Sequence, residues 1–384
     1  MTKKLTWLIL FFLSIGLSAC SPFWQGKYTT AFPSAQCLPS FPDKDGWYGG
    51  DGAYSIKLDQ ERTLWLFGDT FVANEKGRKD RIGMDVVMGT TLAISTCSEN
   101  NQFHIHYYLK KKNGKFVSAF GENEWLWPQD PFIINNVLYV PLLVVKAMLD
   151  LKAPLNFKII RHKIARIKNY TLADPLQWNV DYIDLKDAIL PGIEAFAPTS
   201  VVFQNYVYFY PLYISVKKIA KVSGNILARI PIDKLDDPAD SMEYLNKYGK
   251  WEKGLVPDKA KIVLAASVSE LSVRYHDDDK KWIAIYLSPQ NNGNQLLYQT
   301  ADTLEGPWTK PKALVEKIPE VDPKSPRYDD QNFCYAGKEH IEFAYARNLV
   351  VTYVCNSSEN FQQQNNFIRK NLFLYRPVVK SISY

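Results

Sequence analysis

The sequence has few of the features that mark nucleotide-dependent, metal-dependent or serine-based enzymes. It contains no phosphate-binding glycine loop, no dinucleotide fingerprint and no serine nucleophile elbow. Its five cysteines show no zinc spacing, so we expect neither a metal nor another cofactor. The formal charge of +6 is spread along the chain, and the one tight basic run, Lys110 to Lys112, adjoins a predicted Asn113-Gly114 turn. A nucleic-acid partner is therefore not expected.

The N-terminus carries the one long apolar stretch. M-T-K-K followed by L-T-W-L-I-L-F-F-L-S-I-G has the order of a secretory signal and is too short for a stable transmembrane helix. The stretch ends in L-S-A-C, which resembles the bacterial lipoprotein signal. We therefore expect residues 1–19 to be removed, Cys20 to carry a lipid and residues 20–40 to form a tether. By the same resemblance, Ser21 favours the outer membrane. The alternative is an ordinary secretory peptide with a chance cysteine.

Four cysteines remain, and thiols outside the cytoplasm tend to pair. Four cysteines allow three connectivities. Cys334 and Cys355 flank a predicted hairpin whose turn lies near residues 344–345, so antiparallel pairing would bring them opposite each other. We favour this disulfide and, by elimination, a second one between Cys37 and Cys97.

Helical periodicity is almost absent after residue 30, and short aromatic-rich runs bounded by turn residues recur instead. Five predicted hairpins turn near Gln60, Asn135, Gln204, Asp278 and Tyr345. This spacing of roughly seventy residues indicates a repeat architecture. We predict an all-β, five-bladed β-propeller over residues 41–384 whose inner strands line a channel, with insertions at 146–192 and 216–262. A pair of β-sandwiches is the alternative, but it does not explain the even spacing.

Several motifs resemble one bacterial family in order along the chain. They are W-Y-G-G-D-G-A-Y-S-I, L-W-L-F-G-D-T-F, E-W-L-W-P-Q-D-P-F, S-E-L-S-V-R-Y and N-L-V-V-T-Y-V-C-N. Studied members of this family, formerly of unknown function, include endo-D-arabinofuranases, which are five-bladed β-propeller glycoside hydrolases that cut arabinan chains. The sequence departs from the family after Arg81, where the usual Asn is missing, and at Ile341, where Pro is common. We expect substrate contacts in blades 1 and 5 to differ accordingly.

Asp51 and Asp69 are the first candidates for catalysis. They lie at equal distances from the predicted turn at Gln60, so antiparallel pairing would place them opposite each other, with Cβ atoms about 5 Å apart. Two carboxylates this close do not both ionise easily, so one would keep a proton near neutral pH. Glycoside hydrolysis uses one such acid and one carboxylate, and the resemblance implies an active-site role for both aspartates. For each residue alone, a turn-closing side chain is the alternative.

Asp130 and Glu270 precede later hairpins at the same relative place as Asp51. In a propeller these positions converge on one end of the channel. We expect Glu270 to act as a third catalytic carboxylate and Asp130 to bind substrate. The alternatives are a turn before Pro131 for Asp130 and a salt bridge with Arg274 for Glu270.

Aromatic and basic residues beside these motifs are further candidates for substrate binding. Aromatic faces suit sugar rings, although core packing is the more common role. The candidates are Trp47, Tyr48, Trp127, Tyr335, Arg81, Arg274 and His340. His104 and His106 share one strand face but have no third ligand in view, so a metal site there is not expected.

The sequence therefore predicts a monomeric, lipid-anchored glycoside hydrolase of the cell envelope that acts on a furanoside polysaccharide. A second hypothesis is a non-catalytic propeller that binds a glycan or a protein partner. In the enzyme, the two aspartates should meet in an open site near a third acid. In the binding protein, the site would be blocked or a carboxylate would be neutralised by Arg or Lys.

Overall fold

The computed structural model describes residues 37–148, 157–185, 189–215, 222–345, 347–358 and 366–384. The predicted signal peptide and Cys20 lie outside these residues. The helical segments in the described ranges are short. They are the 3-10 turns Pro175–Gln177, Ile232–Lys234, Pro257–Lys259, Pro319–Val321 and Ile341–Phe343 and the α-helix Phe367–Lys370. None of these described helices is long and apolar enough to cross a membrane.

Five antiparallel meanders follow one another along the chain. Blade 1 consists of Tyr54–Lys57, Arg62–Phe67, Thr91–Cys97 and Phe103–Tyr108. Blade 2 consists of Phe132–Ile134, Val137–Ala147, Phe157–Ile167 and Val180–Asp184. Blade 3 consists of Ser200–Phe203, Tyr206–Phe209, Ala228–Pro231, Glu243–Leu245 and Trp251–Glu252. Blade 4 consists of Ser272–His276, Lys281–Leu287, Leu296–Ala301 and Lys312–Val315, and blade 5 of Asn332–Glu339, Asn348–Ser357 and Val378–Ser383.

Blades 1 to 3 carry additional strands outside the meander. The segment before the first strand of each of these blades pairs with a continuation of the second strand. The additional strands are Trp47–Gly50, Thr70–Val72 and Asp85–Val87 in blade 1, Trp125–Pro128 in blade 2, and Ile193–Ala195, Leu212–Ile214, Ser223–Ile226 and Ile262–Leu264 in blade 3. A ribbon of Lys111–Lys112 and Lys115–Phe116 follows blade 1. The described parts of the predicted insertions at 146–192 and 216–262 therefore include the last two strands of blade 2 and several strands of blade 3.

The strand register of the first hairpin agrees with the sequence prediction. Tyr54 pairs with Leu66, and further along the same two chain segments Gly50 pairs with Thr70. Both pairs are equally distant from Gln60, so the register is kept across the region of Asp51 and Asp69. The other four predicted hairpins also form, and each turns where the sequence placed it.

Each blade is buried on both faces. In the strand Arg62–Phe67, Leu64 and Leu66 pack towards blade 2, whereas Trp65 and Phe67 pack towards blade 5. Successive side chains of a strand point to opposite faces, so a continuous apolar run fits a sheet that lies between two neighbours. The run W-I-A-I-Y-L in blade 4 alternates in the same way between blades 3 and 5.

Five apolar clusters each lie between one pair of neighbouring blades. The cluster between blades 5 and 1 closes the ring, and in it Phe343 stacks on Trp65 with a centroid distance of 5.4 Å. The fold is therefore a five-bladed β-propeller, as predicted. The structure contains both expected disulfides, Cys37–Cys97 and Cys334–Cys355. The first of them holds the start of the described chain against blade 1.

Candidate active site

Asp51 and Asp69 lie on neighbouring chain segments where the first hairpin of blade 1 meets its additional strands. The backbone N–H of Asp51 donates to the carbonyl of Asp69 at 3.0 Å, and the N–H of Gly68 donates to the carbonyl of Asp51 at 2.7 Å. These backbone bonds place Asp51 opposite both Gly68 and Asp69, and the two aspartates are close enough for the charge of Asp69 to act on Asp51.

Asp69 is held by three donors that converge on one carboxyl oxygen. The backbone N–H of Gly89 and the indole N–H groups of Trp125 and Trp127 donate to Oδ1 at 2.6, 2.8 and 2.9 Å. Burial raises the pKa of Asp69 to about 6, and these three hydrogen bonds oppose the rise because they stabilise the carboxylate. Asp69 is therefore a fixed carboxyl group that is ionised above this pH.

Asp51 has a different environment. The hydroxyl of Tyr335 in blade 5 donates to its Oδ1 at 2.5 Å. Burial raises the pKa of Asp51 to about 7; the Tyr335 hydrogen bond opposes this rise, whereas the negative charges of Glu270 and Asp69 add to it. Asp51 therefore keeps its proton to a higher pH than Asp69.

Glu270 precedes the first strand of blade 4 and is half-buried. The hydroxyl of Ser269 donates to its Oε2 at 3.0 Å. Its charge acts on Asp51 in blade 1 and on Lys338 in blade 5. Carboxyl groups from blades 1 and 4 thus face the same end of the channel, the arrangement expected from their equivalent positions before the first strands.

Asp130 does not have a free carboxylate for a substrate. Arg274 donates to both of its oxygens, at 2.9 and 3.0 Å, and Thr199 Oγ1 and the N–H of Ser200 donate to Oδ2 at 3.0 and 2.7 Å. Arg274 therefore pairs with Asp130 and not with Glu270. The predicted substrate contacts of Asp130 and Arg274 are corrected, because this ion pair uses the carboxylate to join blades 2, 3 and 4.

Three other residues that the sequence suggested as substrate contacts have buried side chains that contact other parts of the protein. Trp47 stacks on Tyr107 with a centroid distance of 4.5 Å. Arg81 is buried, and its guanidinium donates to five backbone carbonyls. His340 lies 2.6 Å from Ser55 Oγ and 2.7 Å from Thr352 Oγ1, and burial holds its pKa well below the usual value. These residues join structural elements.

Trp127 and Tyr335, suggested as substrate contacts, donate hydrogen bonds to Asp69 and Asp51. Tyr48 instead donates to the carbonyl of Glu75 at 2.5 Å. His106 is on the outer strand of blade 1, and its Nδ1 lies 2.9 Å from the carboxylate of Asp45. This face of the strand is an ordinary polar surface.

Sequence reasoning missed Lys338 and Tyr54. The Nζ of Lys338 lies 3.5 Å from the centroid of the Tyr54 ring, and the two residues are 2% and 4% exposed. Burial lowers the pKa of Lys338 to about 8, although Glu270, Asp130 and Asp51 oppose the shift. The signal in the sequence is a lysine directly after the uncharged stretch N-F-C-Y-A-G, within the first strand of blade 5.

The protein is thus a five-bladed β-propeller with a site rich in carboxyl groups. The chain belongs to the family described as "Domain of unknown function (DUF5005)", whose model matches residues 40–383. A search of curated proteins gives no match.

Three solved structures are similar to this chain. A "putative hydrolase" from Bacteroides ovatus is 17% identical, with a TM-score of 0.63 over 88% of this chain and 86% of that one. The GH43_1 enzyme from Xanthomonas citri, complexed with xylotriose, is 11% identical, with a TM-score of 0.44 over 90% of both chains. The family 117 glycoside hydrolase Zg3597 of Zobellia galactanivorans is 10% identical, with a TM-score of 0.42 over 90% of this chain and 87% of that one. The similarity to the Bacteroides ovatus structure, at 17% identity, supports the fold of this chain.

Proposed function

We propose that this protein is a glycoside hydrolase that cleaves a furanoside, arabinan-like polysaccharide in its propeller channel. The supporting observation is the unequal environment of Asp51 and Asp69, which lie opposite each other on adjacent segments. Near pH 6 to 7, a pair of this kind holds one proton and one negative charge, the combination that glycoside hydrolysis uses. The ordered motif resemblance to the endo-D-arabinofuranase family supports the choice of substrate.

In the proposed mechanism, Asp51 is the general acid and Asp69 the carboxylate. Asp51 protonates the glycosidic oxygen while the bond from that oxygen to the anomeric carbon breaks. Asp69 either attacks the anomeric carbon or takes a proton from the water that attacks it. If Asp69 attacks, water that gives a proton to the Asp51 carboxylate then displaces Asp69 from the anomeric carbon, which restores the acid and supplies the new hydroxyl group. If Asp69 acts as the base, the water oxygen bonds to the anomeric carbon as the glycosidic bond breaks, and the proton taken by Asp69 returns through solvent to Asp51. Glu270 faces the same space and orients sugar hydroxyls.

The decisive experiment measures new reducing ends after incubation of the purified protein with linear and branched arabinans. We expect release by the wild type and a loss of about 10²- to 10⁴-fold in Asp51→Asn and Asp69→Asn. Asp240→Asn is the matched control, because Asp240 is exposed at the outer edge of blade 3. Equal rates in all four proteins would remove the two aspartates from the mechanism.

A non-catalytic, glycan-binding propeller is the second candidate. It is favoured by the Asp130–Arg274 ion pair, which neutralises one of the carboxylates near the channel. Wild-type protein that binds arabinan by calorimetry but releases no reducing ends would select this candidate over the hydrolase.

We also propose that the protein is a monomeric lipoprotein of the outer membrane, anchored through Cys20. The support is the L-S-A-C sequence after the apolar stretch, together with Ser21. Radiolabelled palmitate should enter the wild type and not Cys20→Ser, and the variant should leave the membrane fraction. A labelled Cys20→Ser variant would contradict the proposed anchor, and a dimeric mass in light scattering would contradict the monomer.

A further inference from the structure

Lys338 and Tyr54 are two buried polar residues near the carboxyl groups of the site, and their side-chain donors are unused. Within the described residues, neither the Lys338 ammonium nor the Tyr54 hydroxyl has a hydrogen-bond partner. The neighbouring Asp51, Asp69 and Asp130 all accept hydrogen bonds. Because a buried polar group without a partner costs free energy, such groups are usually satisfied by water or by a ligand.

The backbone of blades 5 and 1 directs these two groups to the same place. The register of the first strand of blade 5 shifts between Tyr335 and Lys338, with Ala336 at a φ of +56°. Because of this bulge, the hydroxyl of Tyr335 reaches Asp51, and the ammonium of Lys338 lies over the ring of Tyr54. A Cβ atom added to Gly52 would lie 4.0 Å from Lys338 Nζ, so the glycine leaves space beside the ammonium.

The surrounding charges indicate which ligand fits. Carboxyl groups of Asp51, Glu270 and Asp130 act on both Lys338 and Tyr54. An anionic ligand would be repelled by these carboxylates, whereas a neutral hydroxyl can accept a charge-assisted hydrogen bond from the ammonium and a second one from the phenol. A polyhydroxylated neutral sugar offers acceptors of this kind.

We infer that Lys338 and Tyr54 form the floor of the sugar-binding subsite beside Asp51 and donate to hydroxyl oxygens of the bound furanoside. This inference rests on the proposed function, because it takes the channel to be the glycan site. In this role the two residues bind substrate, and Lys338 is the residue that selects a sugar with a hydroxyl at the matching position.

A structural role for Lys338 would give a different result. If the ammonium only balanced the nearby carboxylates, its removal would leave them uncompensated and lower the melting temperature. If the Lys338 ammonium instead binds the ligand, its burial lowers the stability of the ligand-free protein. Lys338→Met should then melt at the same temperature as the wild type or at a higher one. Methionine has a similar length and suits the buried position.

The test measures binding of a linear arabino-oligosaccharide by calorimetry in the Asp51→Asn background, where turnover does not interfere. We expect Lys338→Met to weaken binding by about 10- to 100-fold and Tyr54→Phe by about 5-fold, without a lower melting temperature. In the active protein, the same substitutions should raise KM. Lys338→Arg should not restore binding, because the larger planar group does not fit the space of the ammonium.

Unchanged affinity in Lys338→Met would overturn the inference, as would a lower melting temperature with normal binding. The hydrolase proposal can fail separately. Wild-type protein that binds but does not cleave the oligosaccharide, with binding lost in Lys338→Met, would remove the enzyme and keep the subsite. Cleavage with a normal KM in Lys338→Met would keep the enzyme and remove the subsite. Neither binding nor cleavage by the wild type would remove both.

Discussion

Asp51 and Asp69 carry the same functional group, but the protein gives them different donors. Asp69 receives three hydrogen bonds on one oxygen, whereas Asp51 receives one, from Tyr335. Donors stabilise the charged form, so the better-supplied Asp69 loses its proton first. This asymmetry is the reason for proposing Asp51 as the acid and Asp69 as the carboxylate, roles that equal spacing around a turn does not distinguish.

The first prediction concerns the pH dependence of hydrolysis. We expect kcat/KM to rise with pH as Asp69 ionises at about 6 and to fall as Asp51 loses its proton at about 7. In Tyr335→Phe the falling limb should move up by about one pH unit, because the lost hydrogen bond stabilised the Asp51 carboxylate. Tyr248→Phe, at an exposed tyrosine, is the control. Identical profiles for Tyr335→Phe and the wild type would show that Asp51 does not set the falling limb.

The second prediction concerns stability. The pKa of Asp51 is raised to about 7 in the folded protein, against about 3.9 in an unfolded chain. The folded state therefore binds the extra proton between these values, and stability is lost as pH rises from about 4 to 7. Asp51→Asn should relieve this cost and raise the free energy of unfolding at pH 8 by at most about 4 kcal/mol.

Urea denaturation at pH 4 and pH 8 checks the prediction. The gain from Asp51→Asn should be present at pH 8 and nearly absent at pH 4, and the exposed Asp240→Asn should show no such difference. A loss of stability at pH 8 would mean that the ionised Asp51 is stabilised by its neighbours.

At the scale of the element, the bulge in the first strand of blade 5 decides which residues reach the channel. A bulge adds one residue to one strand and redirects the side chains that follow. Here Tyr335 and Lys338 both contact blade 1, although they are three residues apart and would point to opposite faces of a regular strand.

The third prediction tests this bulge. A Cβ atom on Gly337 would lie 2.6 Å from the backbone nitrogen of Leu287 in blade 4. We expect Gly337→Ala to lower the free energy of unfolding by about 2 to 3 kcal/mol, because the strand must move away from blade 4. Gly249→Ala meets no atom within 4 Å and should cost only about 1 kcal/mol, for its positive φ. Equal losses in the two variants, measured by urea denaturation, would contradict the close packing.

The elements show where sequence reasoning succeeds and where it stops. The register that places Asp51 opposite Asp69 depends only on nearby residues, because strand alternation and one turn determine it. The same is true of the register that pairs Cys334 with Cys355. The position of Lys338 depends on a bulge that no local pattern marks, and on a blade that lies almost three hundred residues earlier in the chain.

At the scale of the whole molecule, two arginines join the first and last blades. Arg81 donates to the carbonyls of Ile368 and Leu374 at 2.9 and 2.7 Å, and Arg369 donates back to the carbonyls of Arg81 and Met84 at 2.9 and 3.0 Å. The planar guanidinium serves several carbonyls at once, which a lysine ammonium cannot do. The ring is therefore closed by hydrogen bonds from arginine side chains to backbone carbonyls as well as by the apolar cluster.

The fourth prediction follows from this closure. Arg81→Lys should lower the free energy of unfolding by about 3 kcal/mol, because buried carbonyls lose their donors. Arg78→Lys, at a side chain that is 29% exposed and pairs with Glu75 at 2.8 Å, should cost less than about 1 kcal/mol. KM for arabinan should not change in folded Arg81→Lys. A normal melting curve with a raised KM would restore Arg81 as a substrate contact.

Arg81, Trp47 and His340 lie close in the sequence to the aspartates or to the motifs of blade 5, but closeness in the sequence does not fix what a side chain contacts. Arg81 lies in the loop between Thr70–Val72 and Asp85–Val87, and His340 directly follows the strand Asn332–Glu339. Both side chains join separate elements of the protein. Only the closed ring shows which side chains face the channel.

The five inter-blade clusters also separate folding from chemistry. Apolar packing lies between the sheets, whereas Asp51, Asp69 and Glu270 take no part in the five clusters. These three positions should therefore tolerate exchange in combinatorial libraries much better than the apolar residues between sheets. The same scaffold offers a starting point for engineering new chemistry at this site without redesign of its core.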